Sequence, residues 1–123
     1  MNEQALILMA QQNRIKILDM VYEAQSGHIG GSFSAIDIVT YLFSERIDCK
    51  VEPRDRFILS KGHSVPAVYA MLHTLGYVKD EEMHTFRKLN SRLQGHTNVL
   101  YMPLTDVTTG LLGQGLSYGV GMA

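Results

Sequence analysis

The sequence predicts an α/β fold, rich in helix and carrying few parallel strands. Three observations lead there. Several segments repeat apolar residues at helical spacing, one short run (Phe57-Ile58-Leu59-Ser60) has the continuous apolar character of a buried strand, and that run stops at a polar turn, Lys61-Gly62-His63. In open α/β folds ligands collect beyond the carboxyl ends of the strands, so this turn is the first place to look for function.

Taken in order, residues 3–24 read as an amphipathic helix. Leu8, Ile15, Leu18 and Tyr22, with Val21, recur at helical spacing, while Gln11, Asn13, Arg14, Lys16 and Asp19 fall on other faces. Ser26-Gly27 closes the helix, with Gly27 the expected left-handed cap. A polar loop follows, Ser26-Gly27-His28-Ile29-Gly30-Gly31-Ser32, holding one histidine. Ser34 with Asp37 resembles a capping box with Asp in place of Glu, which predicts a second helix from there to about Arg46. Its apolar positions are Ala35, Ile36, Val39, Leu42 and Phe43.

Asp48 to Arg56 reads as loop, with Pro53 as the breaker. After the predicted strand, Ser64 suits an N-cap and Pro66 a first helical turn, and Val68, Met71, Leu72 and Leu75 carry a helix to Gly76. Lys79 or Asp80 opens a smaller helix through Lys88. Residues 89–106 form a long loop containing Gln94-Gly95-His96; a loop of that length inside a compact domain is more often functional than filler.

The last stretch, Val107–Ala123, begins with β-branched residues, turns through Gly110 and Gly113, and then places Gly115, Gly119 and Ala123 in an i, i+4, i+8 row. Such a row gives a helix one bare face, open to close approach by another backbone or a ligand. The free N–H groups of a glycine turn at a helix start suit an anion or a polar heterocycle. A tightly packed glycine-rich helix with no ligand is the alternative.

The bulk properties bound the function. A chain of 123 residues is one domain at most, large enough in principle for a core. Its net charge of −1 leaves no basic footprint for nucleic acid or an anionic membrane. Cys49, the one cysteine, has no internal partner and lies in no metal-binding spacing, so a reducing, cytoplasmic setting is expected. The start lacks a basic n-region, and the apolar run Ala5–Ala10 is too short for a signal core or a membrane span. No Pro/Ser-rich linker divides the chain.

Three Gly-His pairs stand out, at His28, His63 and His96, separated by 35 and 33 residues. That interval is close to a helical-repeat period, but the residues following each pair do not match and the intervening segments differ in their helices. A three-histidine metal site is disfavoured because none of the three has a local ligand pair on its own element. His73 and His84 fall within helical patterns and read as half-buried or solvated helix residues.

Four motifs occur in order: Ser26-Gly27-His28-Ile29-Gly30-Gly31-Ser32, Arg54-Asp55-Arg56-Phe57-Ile58-Leu59-Ser60-Lys61-Gly62-His63, Leu93-Gln94-Gly95-His96, and Thr108-Thr109-Gly110-Leu111-Leu112-Gly113-Gln114-Gly115. The series resembles the N-terminal, diphosphate-binding domain of transketolases, nearly end to end. The resemblance implies a thiamine-diphosphate-binding fold in which residues 1–123 form the N-terminal part of that domain, with no second domain. It implies an enzyme that transfers a two-carbon ketol unit from a ketose phosphate to an aldose phosphate. By motif match His63 falls on a histidine at the cofactor diphosphate, and Gly110, Leu111 and Leu112 on the loop that cradles the cofactor, partly through backbone groups. His28 and His96 fall on histidines that contact the donor sugar's hydroxyls and assist proton transfer, making them the expected catalytic and substrate-binding pair. Imidazole suits this work, since it offers one donor and one acceptor and titrates near working pH.

Two departures are visible. Leu111 stands where many transketolases have proline or serine, and Thr97 where proline usually follows Gly-His. The Gly-Asp-Gly segment and later asparagine that hold Mg2+ on the diphosphate in the family do not occur between residues 1 and 123, so no metal ligand is expected in this chain. The resemblance also implies partners, either the remaining domains or a C-terminal subunit, in a homodimer or heterotetramer. The chain stops inside a helical pattern with no cap signal, and one strand among four or five helices leaves apolar surface without a partner. A truncated section, inactive by itself, is therefore expected. The alternatives are a section of a deoxyxylulose-phosphate synthase and a degenerate, non-enzymatic interaction module.

Overall fold

Helix α1 (Glu3–Ala24) starts where the Asn2 side chain accepts a hydrogen bond from the Ala5 N–H at 2.8 Å, so the first turn is capped. In this computed structural model, which describes residues 1–123, four further helices follow: α2 (Ile29–Glu45), α3 (Val65–Thr74), α4 (Asp80–Met83) and α5 (Gln114–Met122). Single 3-10 turns lie at Gly62–Ser64 and Pro103–Thr105.

The bundle α1–α2–α3 is the core. Helix α3 is its centre, with every residue from Val65 to Leu72 buried, so it is apolar all round rather than on one stripe. Pro66 sits in its first turn, where no N–H is needed, and Gly76 adopts φ +83° just beyond its end. Ile36, Val39 and Phe43 of α2 and Ile17, Met20 and Val21 of α1 close around it.

The face that α1 buries is not the one its periodicity predicts. Leu8, Ile15 and Tyr22 are 55%, 61% and 75% exposed, whereas Ala10, Asn13, Ile17, Met20 and Val21 are buried. Asn13 is what hides this face in the sequence, since it reads as a solvent residue but is wholly buried and hydrogen-bonded. Its Nδ2 donates to Thr40 Oγ1 and to Met71 Sδ, both at 3.4 Å, while Thr74 Oγ1 donates to Asn13 Oδ1 at 2.6 Å. A satisfied polar side chain can occupy a core position, so the face with the second apolar row, Ala10, Ile17, Met20 and Val21, packs inward with Asn13 among it. An Arg14–Asp37 ion pair further ties α1 to α2.

Two boundaries also differ from expectation. The left-handed cap of α1 is Gln25 (φ 50°), not Gly27. Helix α2 begins at Ile29, five residues before Ser34, with His28 at its N-cap position. Ser34 bonds back to the Gly31 carbonyl at 3.0 Å instead of capping. Gly31 belongs in that first turn because the fold crowds it: a Cβ there would lie 2.5 Å from Ser64 Oγ, whereas Gly30 faces open space. Helix α4 stops at Met83, short of the predicted run to Lys88; the chain goes on in turns, and the positive φ of Arg87 (62°) is incompatible with a helix through that position.

The predicted strand is extended but unpaired, so the structure contains no sheet. A strand is defined by a ladder, and no other segment of the chain gives Phe57–Ser60 a backbone hydrogen bond. Side chains take over part of the bonding: the Phe57 N–H donates to Asp106 Oδ2 at 2.9 Å, and the Leu59 carbonyl accepts from Thr109 Oγ1 at 2.6 Å. The small-residue row of α5 lies on this stretch. A Cβ on Gly115 would be 2.6 Å from Ser60 Cβ, and one on Gly119 would be 3.4 Å from Ile58 Cδ1. The bare face therefore meets protein at Gly115 and Gly119.

Candidate functional site

The three Gly-His pairs, far apart in sequence, converge at one place. Ring centroids of His28 and His63 are 5.0 Å apart, and those of His63 and His96 are 6.5 Å apart, each pair edge-on. Each histidine arrives by a different element. His28 is set by the start of α2, where Ser32 Oγ donates to its carbonyl at 3.1 Å. His63 lies in the 3-10 turn that joins the extended stretch to α3. His96 comes from the long loop, which is held on the core by Tyr69, whose buried hydroxyl donates to the Gln94 carbonyl at 2.8 Å. Gly95 packs against Arg87, where a Cβ would lie 2.7 Å from the guanidinium.

Gly110 joins the cluster, since a Cβ there would lie 3.8 Å from His96 Cδ2. Leu111 and Leu112 follow it, 69% and 68% exposed. The left-handed turn at Gly113 then leads into α5. His28 and His96 are exposed and His63 is half-buried between them, so the group forms an open wall. Three well-formed concavities lie elsewhere, one of about 330 Å³ beside Phe43, Cys49 and Tyr77, one of about 220 Å³ beside Lys16, His73 and His84, and one of about 500 Å³ beside Leu42, Arg46 and Phe57.

The wall favours negative charge. His63 titrates below its usual value, first because burial disfavours its cation, then because His28, His96 and Lys61 add positive charge nearby. Lys61 is anchored beside it, donating to the Gly31 carbonyl at 2.9 Å and to Ser34 Oγ at 2.8 Å. Ser64 Oγ, against Gly31, is buried with no hydrogen-bond partner. A cationic group, an imidazole and a glycine turn opening a helix suit a phosphorylated organic cofactor. The residues present thus fit thiamine diphosphate. No group of three His, Cys, Asp or Glu side chains is placed to hold a metal ion.

His73 and His84 stand apart from the cluster, bonded to Asp80 and Glu23, each at 2.6 Å. Sequence reasoning missed two residues that build the site, Thr97 and Thr109. Both are buried, and their hydroxyls lie 2.6 Å apart. Thr97 is legible only as a replacement for proline; its hydroxyl partner is twelve residues away and carries no local signal.

Comparison with known proteins establishes the family of the chain. Residues 6–123 match the family described as transketolase, thiamine diphosphate binding domain. The chain belongs to that family. It is 39% identical to one subunit of the apulose-4-phosphate transketolase of Phocaeicola vulgatus, over all of this chain and 45% of that protein. It is 43% identical to transketolase 1 of Saccharomyces cerevisiae over 89% of this chain and 17% of that one. The crystal structure of transketolase from Campylobacter jejuni superposes with a TM-score of 0.88 at 35% identity, covering 98% of this chain and 20% of that one. The chain therefore spans less than half the length of these relatives.

Proposed function

We propose that this chain supplies the diphosphate-facing wall of a transketolase-type active site, a transferase moving a two-carbon ketol unit between sugar phosphates. The observation that carries this is the convergence of His28, His63 and His96 beside Gly110. When bound, thiamine diphosphate would supply the carbon nucleophile and electron sink for breaking the donor's carbon–carbon bond. His63, with Lys61 beside it, would hold the diphosphate, and the Gly110–Leu112 loop would offer backbone groups to the cofactor. His28 and His96, exposed on either side, would orient the donor's hydroxyls and exchange protons with them. The ligands of Mg2+ would come from outside these residues.

The parallel neighbours of the extended Phe57–Ser60 stretch would likewise come from outside them, completing an α/β sheet in which residues 1–123 are the first part of the domain. The Phocaeicola vulgatus relative, named as one subunit of its enzyme, gives this a precedent. It makes a C-terminal subunit the natural partner, in a cytoplasmic heterotetramer or, within one longer chain, a homodimer. No helix is long and apolar enough to cross a membrane.

The test uses the complex isolated through a tag on this chain. His63→Ala is expected to weaken thiamine diphosphate binding, with excess cofactor recovering much of the rate. His28→Ala is expected to lower the rate at saturating cofactor by roughly tenfold to a thousandfold, the scale of losing a placed proton-transfer group. His96→Ala is expected to raise the donor KM and lower kcat. Full rescue of His28→Ala by cofactor excess overturns this division of roles.

A further inference from the structure

We propose that Thr97 and Thr109 are positioning residues whose buried hydroxyl relay sets the spacing of His96, His63 and the Gly110 loop. Each stands one residue from a site group, Thr97 after His96 and Thr109 before Gly110. The Thr109 N–H donates to Thr97 Oγ1 at 2.9 Å, the two hydroxyls are 2.6 Å apart, and Thr109 Oγ1 donates to the Leu59 carbonyl at 2.6 Å.

Counting protons fixes the direction of the relay. A threonine hydroxyl has one hydrogen, and that of Thr109 is committed to Leu59, so Thr97 donates to Thr109 and accepts from its N–H. The third segment is locked by contact: a Cβ on Gly62, immediately before His63, would lie 2.5 Å from the Thr109 carbonyl oxygen. Three stretches of chain, each ending in a site residue, therefore meet at Thr109. With Thr97 1% and Thr109 6% exposed, a lost partner is not replaced cheaply by solvent. Proline or valine at position 97 has no side-chain oxygen to accept the Thr109 N–H, so this chain holds its loop by a bond that neither residue provides.

The inference rests on the proposed function for what the positioned groups do, and the test separates the two. Histidine rings are labelled with 13C in the full chain and titrated by NMR, while affinity for thiamine diphosphate with magnesium is measured in the isolated complex. Thr97→Val is expected to shift the His96 titration and weaken cofactor binding about tenfold, the scale of one buried unpaired group. Thr97→Ser, which keeps the hydroxyl, is expected to restore both. Thr109→Val frees the Leu59 carbonyl and is expected to move the His63 titration more than that of His96. A Thr97→Val chain that melts earlier but keeps both titrations and its affinity overturns the proposal. If Thr97→Val does not fold, an unmoved His63 in Thr109→Val overturns it instead. A wild-type complex that ignores thiamine diphosphate removes the proposed function, while the ring titrations still decide the relay.

Discussion

The α1–α3 bundle and the stretch from Leu89 to Ala123 are held together by different forces. The bundle is an apolar core, in which α3 is sealed on every side and the one polar intruder, Asn13, is fully bonded. The later stretch has little core of its own, and Leu100, Leu116 and Val120 are 87%, 77% and 72% exposed. Its order comes from discrete polar ties. Arg54 and Asp106, with side chains 7% and 5% exposed, form a two-pronged ion pair at 2.7 and 2.8 Å, and Asp106 also accepts from the Phe57 N–H. Apolar packing is spread over many contacts, whereas a tie is lost whole when one atom is removed. His96 and Gly110 come from the tied stretch, while His28 and His63 sit at the ends of bundle helices.

Of the two largest expected effects, the first breaks a tie. Asp106→Ala removes both short bonds to the buried Arg54 guanidinium and leaves it the longer contact to Glu52 at 3.5 Å, at a cost of about 3 kcal/mol. Hydrogen exchange is expected to show protection lost first at Phe57 and Thr109, with α3 unaffected; uniform loss across α1–α3 would show the two regions to be one unit. Ile36→Ala removes wholly buried apolar volume in the bundle and is expected to lower stability by about 2–5 kcal/mol in chemical denaturation. Here α1–α3 is expected to lose protection together, because the core is shared.

A subtler effect is pH dependence at His63, where the two regions meet. Its folded value lies below the ordinary 6.5, so between the two values the unfolded chain holds more protons than the folded one. Its contribution to stability is complete above 6.5 and is lost as the pH falls through that window. An anion bound beside it reverses the shift. Calorimetry at about pH 6 in buffers of different ionisation enthalpy is then expected to register proton uptake when thiamine diphosphate binds. Proton release would place the anion away from His63.

The smallest effect tests the surface of α1. Ile15→Ser, on the exposed row, is expected to change stability by no more than about 0.5 kcal/mol in the same denaturation experiment. A loss comparable to that of Ile36→Ala would mean the row is covered.

Local chemistry accounts for what the sequence determined by itself. The extent of α1, the proline start of α3, the turn at Gly76 and the three Gly-His pairs are all properties of neighbouring residues, and they stand in the structure. The four ordered motifs also carried the family. Tertiary structure decided the rest. It chose Asn13 over Leu8 and Ile15 for the core, because burial of a polar group depends on partners at Thr40, Met71 and Thr74 that no spacing within α1 announces. It made glycine necessary at position 31 of α2, because the crowding that excludes a side chain there comes from Ser64, over thirty residues away. It left Phe57–Ser60 extended without a ladder, since a strand exists only through its neighbour. And it set His28 and His96 on either side of His63 through a hydroxyl pair and two glycine contacts, because convergence is a property of packed segments and not of the segments themselves.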